Sequence, residues 1–217
     1  MCSVEQDHKN ISFIVHNIFI GPYHFAGNPE HKQLFNSYNF DVVINVMNDD
    51  FTYILNEGDR KIEYYHYPMS DSLDYAKFKP NGLAAANTLY ECLKQRKKVY
   101  VHCAMGKSRS VAVVLFCLCK HFNFKYLSAK SILKCQRPCK NVNYRFTSYI
   151  RRYISKHMSI DNKIGHDFHD KDRFEAIIDQ HIMASNGSNV GDDNVGDDEC
   201  EKPVSIHISS LLDESNM

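Results

Sequence analysis

A lone thiol and a guanidinium share one short loop in the stretch VHCAMGKSRS, residues 101–110. Five residues separate Cys103 from Arg109, and Ser110 follows the arginine directly. A β-branched run leads into the stretch, and the apolar run VAVVLFCLC leads out of it. A loop that passes from a strand to a helix N-terminus is an anion receptor. Several backbone N–H groups converge there, and the helix dipole favours negative charge. Gly106 lets the backbone approach such an anion closely. Arg109 adds a planar fork suited to two oxygens of a phosphoryl group. The same field lowers the pKa of Cys103, so that it is thiolate near neutral pH. A thiolate beneath a bound phosphoryl group is a nucleophile in line for displacement. Taken singly, Cys103 reads as a buried cysteine at a strand end. The combination of Cys, five residues, Arg and Ser between strand and helix is what points to phosphate chemistry.

Releasing an alcohol or phenol from phosphorus needs a proton donor on the face opposite the nucleophile, hence from another loop. The segment PMSDSLDYAKF, after a predicted strand, contains Asp71 and, three residues on, Asp74. Either could serve as the acid, or as the N-cap of the following helix.

These residues need a scaffold that holds them together. SFIVHNIFIG, FDVVINVMN, IEYYHYPM and KVYVHC are rich in Val, Ile, Phe and Tyr and read as strands. NPEHKQLFNSY reads as a short helix with Asn28 as N-cap and Pro29 in its first turn. FKPNGLAAANTLYECLKQRKK reads as a helix with Leu83, Ala86, Leu89, Tyr90 and Leu93 on one face. SRSVAVVLFCLCKHF is apolar on nearly every side and reads as a central buried helix. YLSAKSILKCQRP and YRFTSYIRRYISKH are two further helices, parted near Pro138. The alternation of strands and helices predicts an α/β fold, a mixed and mostly parallel sheet flanked by helices.

The loop HCAMGKSRS closely resembles the signature of the cysteine-based protein phosphatases, specifically the dual-specificity branch, which runs H-C-x-x-G-x-S-R-S. The resemblance covers roughly residues 11–155. VHNIFIGPYHFAGN resembles that family's opening strand and turn, and DVVINV its second strand. QRPCKNVNYRF resembles the family's R-P-x-x-x-P-N-x-x-F, with Val142 in place of the second proline and with Asn143 and Phe146 present. The resemblance implies Cys103 as the nucleophile and Arg109 as the phosphate clamp. It implies His102, Ala104, Met105, Gly106, Lys107 and Ser108 as the rest of the phosphate-binding loop. Asp71 sits at the family's acid position, ahead of Asp74. Asn143 would help brace the loop. Ser110 would donate to the departing sulfur, although a hydroxyl there could also cap the helix. His102 either orients the loop through a backbone contact or simply packs. Lys107 is expected at the rim.

The implied activity is hydrolysis of phosphotyrosine, phosphoserine and phosphothreonine in proteins through a cysteinyl-phosphate. The alternative substrates are phosphoinositides or RNA 5′-triphosphate ends. Those would favour more cations in the loop than Lys107, since Ala104 and Met105 are neutral. A catalytically dead phosphate-binding module would have lost the cysteine, arginine or acid, and all three are present. The chain has no tryptophan, so the Trp-Pro-Asp acid loop of deep-pocket tyrosine phosphatases is absent. A shallow site is expected.

The bulk composition agrees with an ordinary catalytic domain. Of 217 residues, 43% are hydrophobic and 24% charged, with zero formal net charge. That charge is unevenly spread. Residues 186–217 hold eight acids and one base, leaving the remainder with 25 bases and 18 acids. The expected divisions are an N-terminal arm at 1–10, a catalytic domain at 11–158, an extra helix within 159–185 and an acidic disordered tail at 186–217. The tail carries a tandem NVGDD repeat. It could dock on the basic body or be merely solvated. No apolar run approaches the ~20 residues of a membrane span, and the polar start MCSVEQDHKN is not a secretory leader. An intracellular location, cytoplasmic or nuclear, is therefore expected, with reduced thiols. Cys92, Cys117 and Cys119 are expected to pack as small hydrophobes. No cofactor is expected, and no metal: HDFHD at 166–170 lacks further ligands at a suitable spacing. The expected partner is a phosphorylated protein, and nucleic acid is not expected.

Overall fold

The structure, a computed structural model, describes residues 11–50, 62–72, 78–158 and 171–187. The arm at 1–10, Asp74, the HDFHD segment and residues 188–217 lie outside the described residues.

Five strands form one sheet: β1 (Ser12–Phe13), β2 (Ile18–Pro22), β3 (Val42–Asn45), β4 (Glu63–His66) and β5 (Val99–Cys103). Their spatial order is β1-β2-β5-β3-β4. β1 pairs antiparallel to β2, and every other pairing is parallel. β5 is thus the central strand, flanked by β2 and β3, and its last residue is Cys103. The expected mixed, mostly parallel sheet is present.

Alternation along each strand sorts the side chains to two faces. Ile18, Ile20, Val42, Ile44, Val99 and Val101 face the larger core. Phe19, Val43, Tyr64 and Tyr100 face a smaller aromatic core with Phe25, Phe35 and Phe40. The smaller core is covered by short elements: α1 (His24–Gly27), a 3-10 turn at Pro29–His31 and α2 (Lys32–Ser37). Asn28 caps the 3-10 turn, its side chain accepting from the Glu30 N–H at 3.0 Å. The expected single helix is therefore a 3-10 turn running into a six-residue α-helix.

The larger core lies under α3 (Phe78–Lys94), α4 (Arg109–Lys120), α5 (Tyr126–Gln136) and α6 (Tyr144–His157). α4 is buried at every residue from Ser110 to Cys119, as an all-round apolar helix must be. On α3 the core-facing set is Phe78, Ala85, Ala86, Leu89, Cys92 and Leu93, while Leu83 and Tyr90 are only partly covered. The first expected strand is a correction. SFIVHNIFIG folds as a hairpin, with His16 and Asn17 at positive φ of 34° and 47°. The Ile14 N–H donates to the Ile18 carbonyl at 2.8 Å across that turn. A run of strand-forming residues hid a reversal made without glycine or proline.

The extra helix is present as α7 (Lys171–Gly187), reaching two residues into the stretch assigned to the tail. It buries Phe174, Ile178 and Ile182 in the larger core. Phe174 stacks on Phe124 with centroids 4.5 Å apart. The Asp179 carboxylate is 3.2 Å from His16 Nδ1, and Asn186 donates to the Lys94 carbonyl at 3.1 Å. Among the described residues no helix is long and apolar enough to cross a membrane.

Candidate active site

The turn from β5 into α4 places Cys103 at the floor of a loop and Arg109 and Ser110 in the first turn of the helix. Gly106 makes this turn possible. Its φ is +63°, and a Cβ there would lie 2.5 Å from the Gly21 carbonyl group and 2.8 Å from Arg137 Nη2. Only glycine fits a left-handed position pressed this closely against another strand.

Cys103 is 2% exposed. Burial pushes its thiol pKa up. Hydrogen bonds from the Ser110 hydroxyl and N–H, the Arg109 charge and the Ser108 N–H more than reverse that, and the pKa lies below the ordinary thiol value. Ser110 Oγ is 3.4 Å from the sulfur. Ser110 is itself 0% exposed and lies inside the helix, so its hydroxyl serves the sulfur and not a cap. Other buried thiols show the contrast. Burial pushes Cys92 up to about 12 and Cys117 higher still. Cys92, Cys117 and Cys119 pack in the core, none of them in a disulfide. Burial is common to all of them, whereas hydrogen bonds that favour the thiolate converge on Cys103.

The guanidinium of Arg109 is oriented by a bond from Nη1 to the Met69 carbonyl at 2.9 Å. Its Nε is buried without a hydrogen-bond partner and lies 4.0 Å from Asp71 Oδ2. A buried, unfilled donor on a planar fork beside the thiol is what an oxyanion receptor requires.

Asp71 follows β4 and Pro68 and comes directly to the loop. Its Oδ1 accepts from the Ser108 hydroxyl at 2.7 Å, and its side chain stays 40% exposed. Six residues separate it from Phe78, the first residue of α3, so it does not cap that helix. Asn143 joins the same network. Its N–H donates to Ser108 Oγ at 3.1 Å, and its Nδ2 donates to the carbonyls of Asp71 and Ser72 at 3.2 and 3.3 Å. Its Oδ1 caps α6 by accepting from the Arg145 N–H at 3.0 Å. Val142, in place of proline, leaves this arrangement intact.

His102 is 1% exposed, and its ring stacks on Tyr100 at 5.7 Å. Burial, aided by His66 and Arg109, drives its pKa down to about 3, so the ring is neutral. Its Nδ1 has no hydrogen-bond partner, so packing against Tyr100 is the contact this ring displays. Met105 is 51% exposed and Ala104 partly covered, both at the loop surface. Lys107 is half-buried, and its carbonyl accepts from the Asn141 N–H at 3.0 Å.

One site residue carried no role in the sequence reading. Arg137 is 0% exposed. Its Nε donates to the Gly106 carbonyl, Nη2 to the Met105 carbonyl at 3.4 Å, and Nη1 to Ser12 Oγ at 2.8 Å and the Ile20 carbonyl at 3.4 Å. It ties the back of the loop to β1 and β2. The signal was the arginine of QRP in the family-like stretch. Among the described residues no group of three His, Cys, Asp or Glu could hold a metal.

A mixed, mostly parallel sheet whose central strand ends in a cysteine, with an arginine-bearing helix start over it, defines the cysteine-phosphatase class of fold and site. The family described as "Dual specificity phosphatase, catalytic domain" matches residues 23–156, and the chain belongs to that family. Dual specificity protein phosphatase 1 of Arabidopsis thaliana is 26% identical over 163 residues, covering 70% of this chain and 72% of that protein. A probable rhodanese domain-containing dual specificity protein phosphatase of Dictyostelium discoideum is 38% identical over 71 residues. That match covers 33% of this chain and only 15% of that protein's length. The human tyrosine phosphatase-like serine/threonine/tyrosine-interacting protein superposes with a TM-score of 0.58 at 21% identity. It covers 70% of this chain and 99% of that structure, a likeness of fold.

Proposed function

We propose that this chain is a protein phosphatase that removes phosphate from tyrosine, serine and threonine side chains. The observation that carries the reading is the geometry around Cys103: Ser110 Oγ lies 3.4 Å from its sulfur, the buried Arg109 Nε has no hydrogen-bond partner, and Asp71 is bonded to the same loop through Ser108. In the first step the Cys103 thiolate attacks phosphorus, the S–P bond forms, and the P–O bond to the substrate side chain breaks. Asp71, protonated, gives its proton to the departing oxygen. Arg109 and the loop N–H groups neutralise charge on the three phosphoryl oxygens through the transition state. In the second step Asp71 takes a proton from water, the water oxygen bonds to phosphorus, and the S–P bond breaks. Ser110 donates its hydroxyl hydrogen bond to the thiolate that leaves, and inorganic phosphate is released. Asn143 and Ser108 keep the acid loop against the nucleophile loop. A shallow site, without a tryptophan acid loop, admits short and long phosphorylated side chains alike.

Steady-state kinetics on phosphotyrosine and phosphothreonine peptides, a phosphoinositide and an RNA 5′-triphosphate test this. Turnover of both peptide classes is expected, with the lipid and the RNA slower by ~10-fold or more in kcat/KM. Cys103→Ser should lose turnover and keep phosphate binding. Preference for lipid or RNA, or activity surviving in Cys103→Ser, would overturn the reading.

A further inference from the structure

Beside the catalytic loop, α4, α5 and α6 enclose a pocket of about 360 Å³, within the ~300–1,000 Å³ range of small-ligand sites. Lys130 from α5 and Lys140 from the α5–α6 loop line it, together with the side chains of Tyr126 and Thr147. Lys140 is half-buried, and its pKa lies below the ordinary lysine value, first through burial and then through the charges of Lys130 and Lys134. Two ammonium groups, those of Lys130 and Lys140, therefore share one concavity, within the field of the Lys134 charge. Among the described residues no carboxylate pairs with any of them. The sequence supplies the reason: from Cys92 to Ile160 it contains sixteen lysines and arginines and no aspartate or glutamate. Every residue lining the pocket belongs to that acid-free stretch. Like charges gathered around a concave, partly desolvated site repel one another and concentrate anions there.

The pocket wall is also the brace of the catalytic loop. Within the segment Asn141–Asn143, the Asn141 N–H donates to the Lys107 carbonyl at 3.0 Å and the Asn143 N–H to Ser108 Oγ at 3.1 Å, and the Lys140 side chain takes no part in these bonds. We propose that this pocket is a second anion site, which takes a phosphate dianion close to the one being hydrolysed. Its source is either a second phosphorylated residue of the same substrate or a free small phosphate. The Lys130 and Lys140 ammonium groups supply the charge, and the Tyr126 hydroxyl supplies a hydrogen bond; the Thr147 hydroxyl donates to the Tyr144 carbonyl at 2.9 Å. The proposal rests on the phosphatase reading above for the identity of the neighbouring site.

The test compares the full chain with Lys130→Glu/Lys140→Glu, and with Lys130→Gln/Lys140→Gln should the charge reversal fail to fold. A small aryl phosphate reports on the catalytic site alone, and its kcat/KM should be the same in all variants. A phosphotyrosine peptide is then compared with the same peptide carrying a second phosphate two to five residues away. The wild type should favour the doubly phosphorylated peptide by ~10-fold or more, mainly through KM, and the variants should lose that preference. Titration of both peptides onto Cys103→Ser reads the same preference as affinity, without turnover. Lack of aryl phosphate hydrolysis would therefore defeat the phosphatase reading while still testing the pocket. If the two peptides behave alike but inorganic phosphate alters turnover in a Lys140-dependent way, the free small phosphate is the source. Equal behaviour of the peptides in wild type and variants, with no Lys140-dependent effect of inorganic phosphate, overturns the proposal. So does equal competition by an oligouridylate, which would mark a general basic surface.

Discussion

Arg137→Met offers the sharpest test of how the loop is held. Methionine keeps much of the volume of the buried side chain and removes every donor. Among the described residues four acceptors then lose this donor: the carbonyls of Met105, Gly106 and Ile20, and Ser12 Oγ. An orphaned buried acceptor costs ~1–3 kcal/mol, but these groups share one side chain and partly relax together. A loss of ~3–5 kcal/mol is the reasonable sum, as for other broken buried charged networks. For a domain of this size each kcal/mol lowers Tm by ~2–4 °C, so scanning calorimetry should show a fall of ~6–20 °C. Function should fail further than stability. Two of the four acceptors are loop carbonyls, and rotating their peptide units turns N–H groups away from the anion. A misplacement of ~1 Å at a reacting centre can cost ~10² in rate, so kcat/KM for an aryl phosphate should fall ~10²-fold at a temperature where the variant is folded. Arg137→Lys, with charge but no fork, should fall between. A Tm within ~2 °C of wild type together with unchanged kcat/KM would refute the argument.

Four further outcomes are expected. Ser110→Ala removes a hydrogen bond that favours the thiolate, so the pH midpoint of Cys103 alkylation by iodoacetamide should move upward; a midpoint that stays put or falls contradicts the assignment. Asp71→Asn should lower kcat ~10²-fold for a phosphotyrosine peptide and much less for an aryl phosphate whose leaving group needs no proton, and equal losses would move the acid elsewhere. Ser108→Ala should weaken the hold on Asp71 with a smaller loss in kcat, and an enhanced kcat would show that the contact restrains the acid. His102, with a folded pKa of about 3 against 6.5 unfolded, contributes stability that is present above pH 6.5 and lost as pH falls toward 3. The loss is about 1.4 kcal/mol per pH unit for the one proton. In urea titrations between pH 7 and 4 this contribution adds to that of His121, whose pKa burial also lowers to about 3, and His102→Asn should reduce the slope by its own share.

The nucleophile loop was legible because its parts are contiguous: Cys103, Gly106, Arg109 and Ser110 lie within eight residues, and the strand and helix that flank them have clear apolar patterns. The two faces of the sheet were equally open to reading, since alternation in Ile18–Ile20 and Val99–Val101 carries over directly. What escaped depends on contacts remote in sequence. Arg137 meets Ser12 across 125 residues, and no local pattern announces such a bond. Ser108 and Asp71 are 37 residues apart, and their pairing follows from where β4 and β5 end. The β1–β2 reversal was missed for a local reason. Its turn uses a histidine and an asparagine at positive φ, where glycine or proline would have marked it.

Helix α7 lies beyond the matched family residues, which end at 156, yet its Phe174, Ile178 and Ile182 belong to the main core. Three such side chains contribute ~1.5–3 kcal/mol each when buried. The unit that unfolds cooperatively is thus larger than the unit that carries the chemistry. A chain cut to the family boundary would expose the Phe124 ring and the lower end of α3 as a sticky apolar seam. The same seam should recruit α7 supplied as a separate peptide, so that two fragments restore one melting transition. Fragment complementation of this kind would turn the appendage into a handle on the assembly of the whole domain, adjustable without touching any group at the phosphate site.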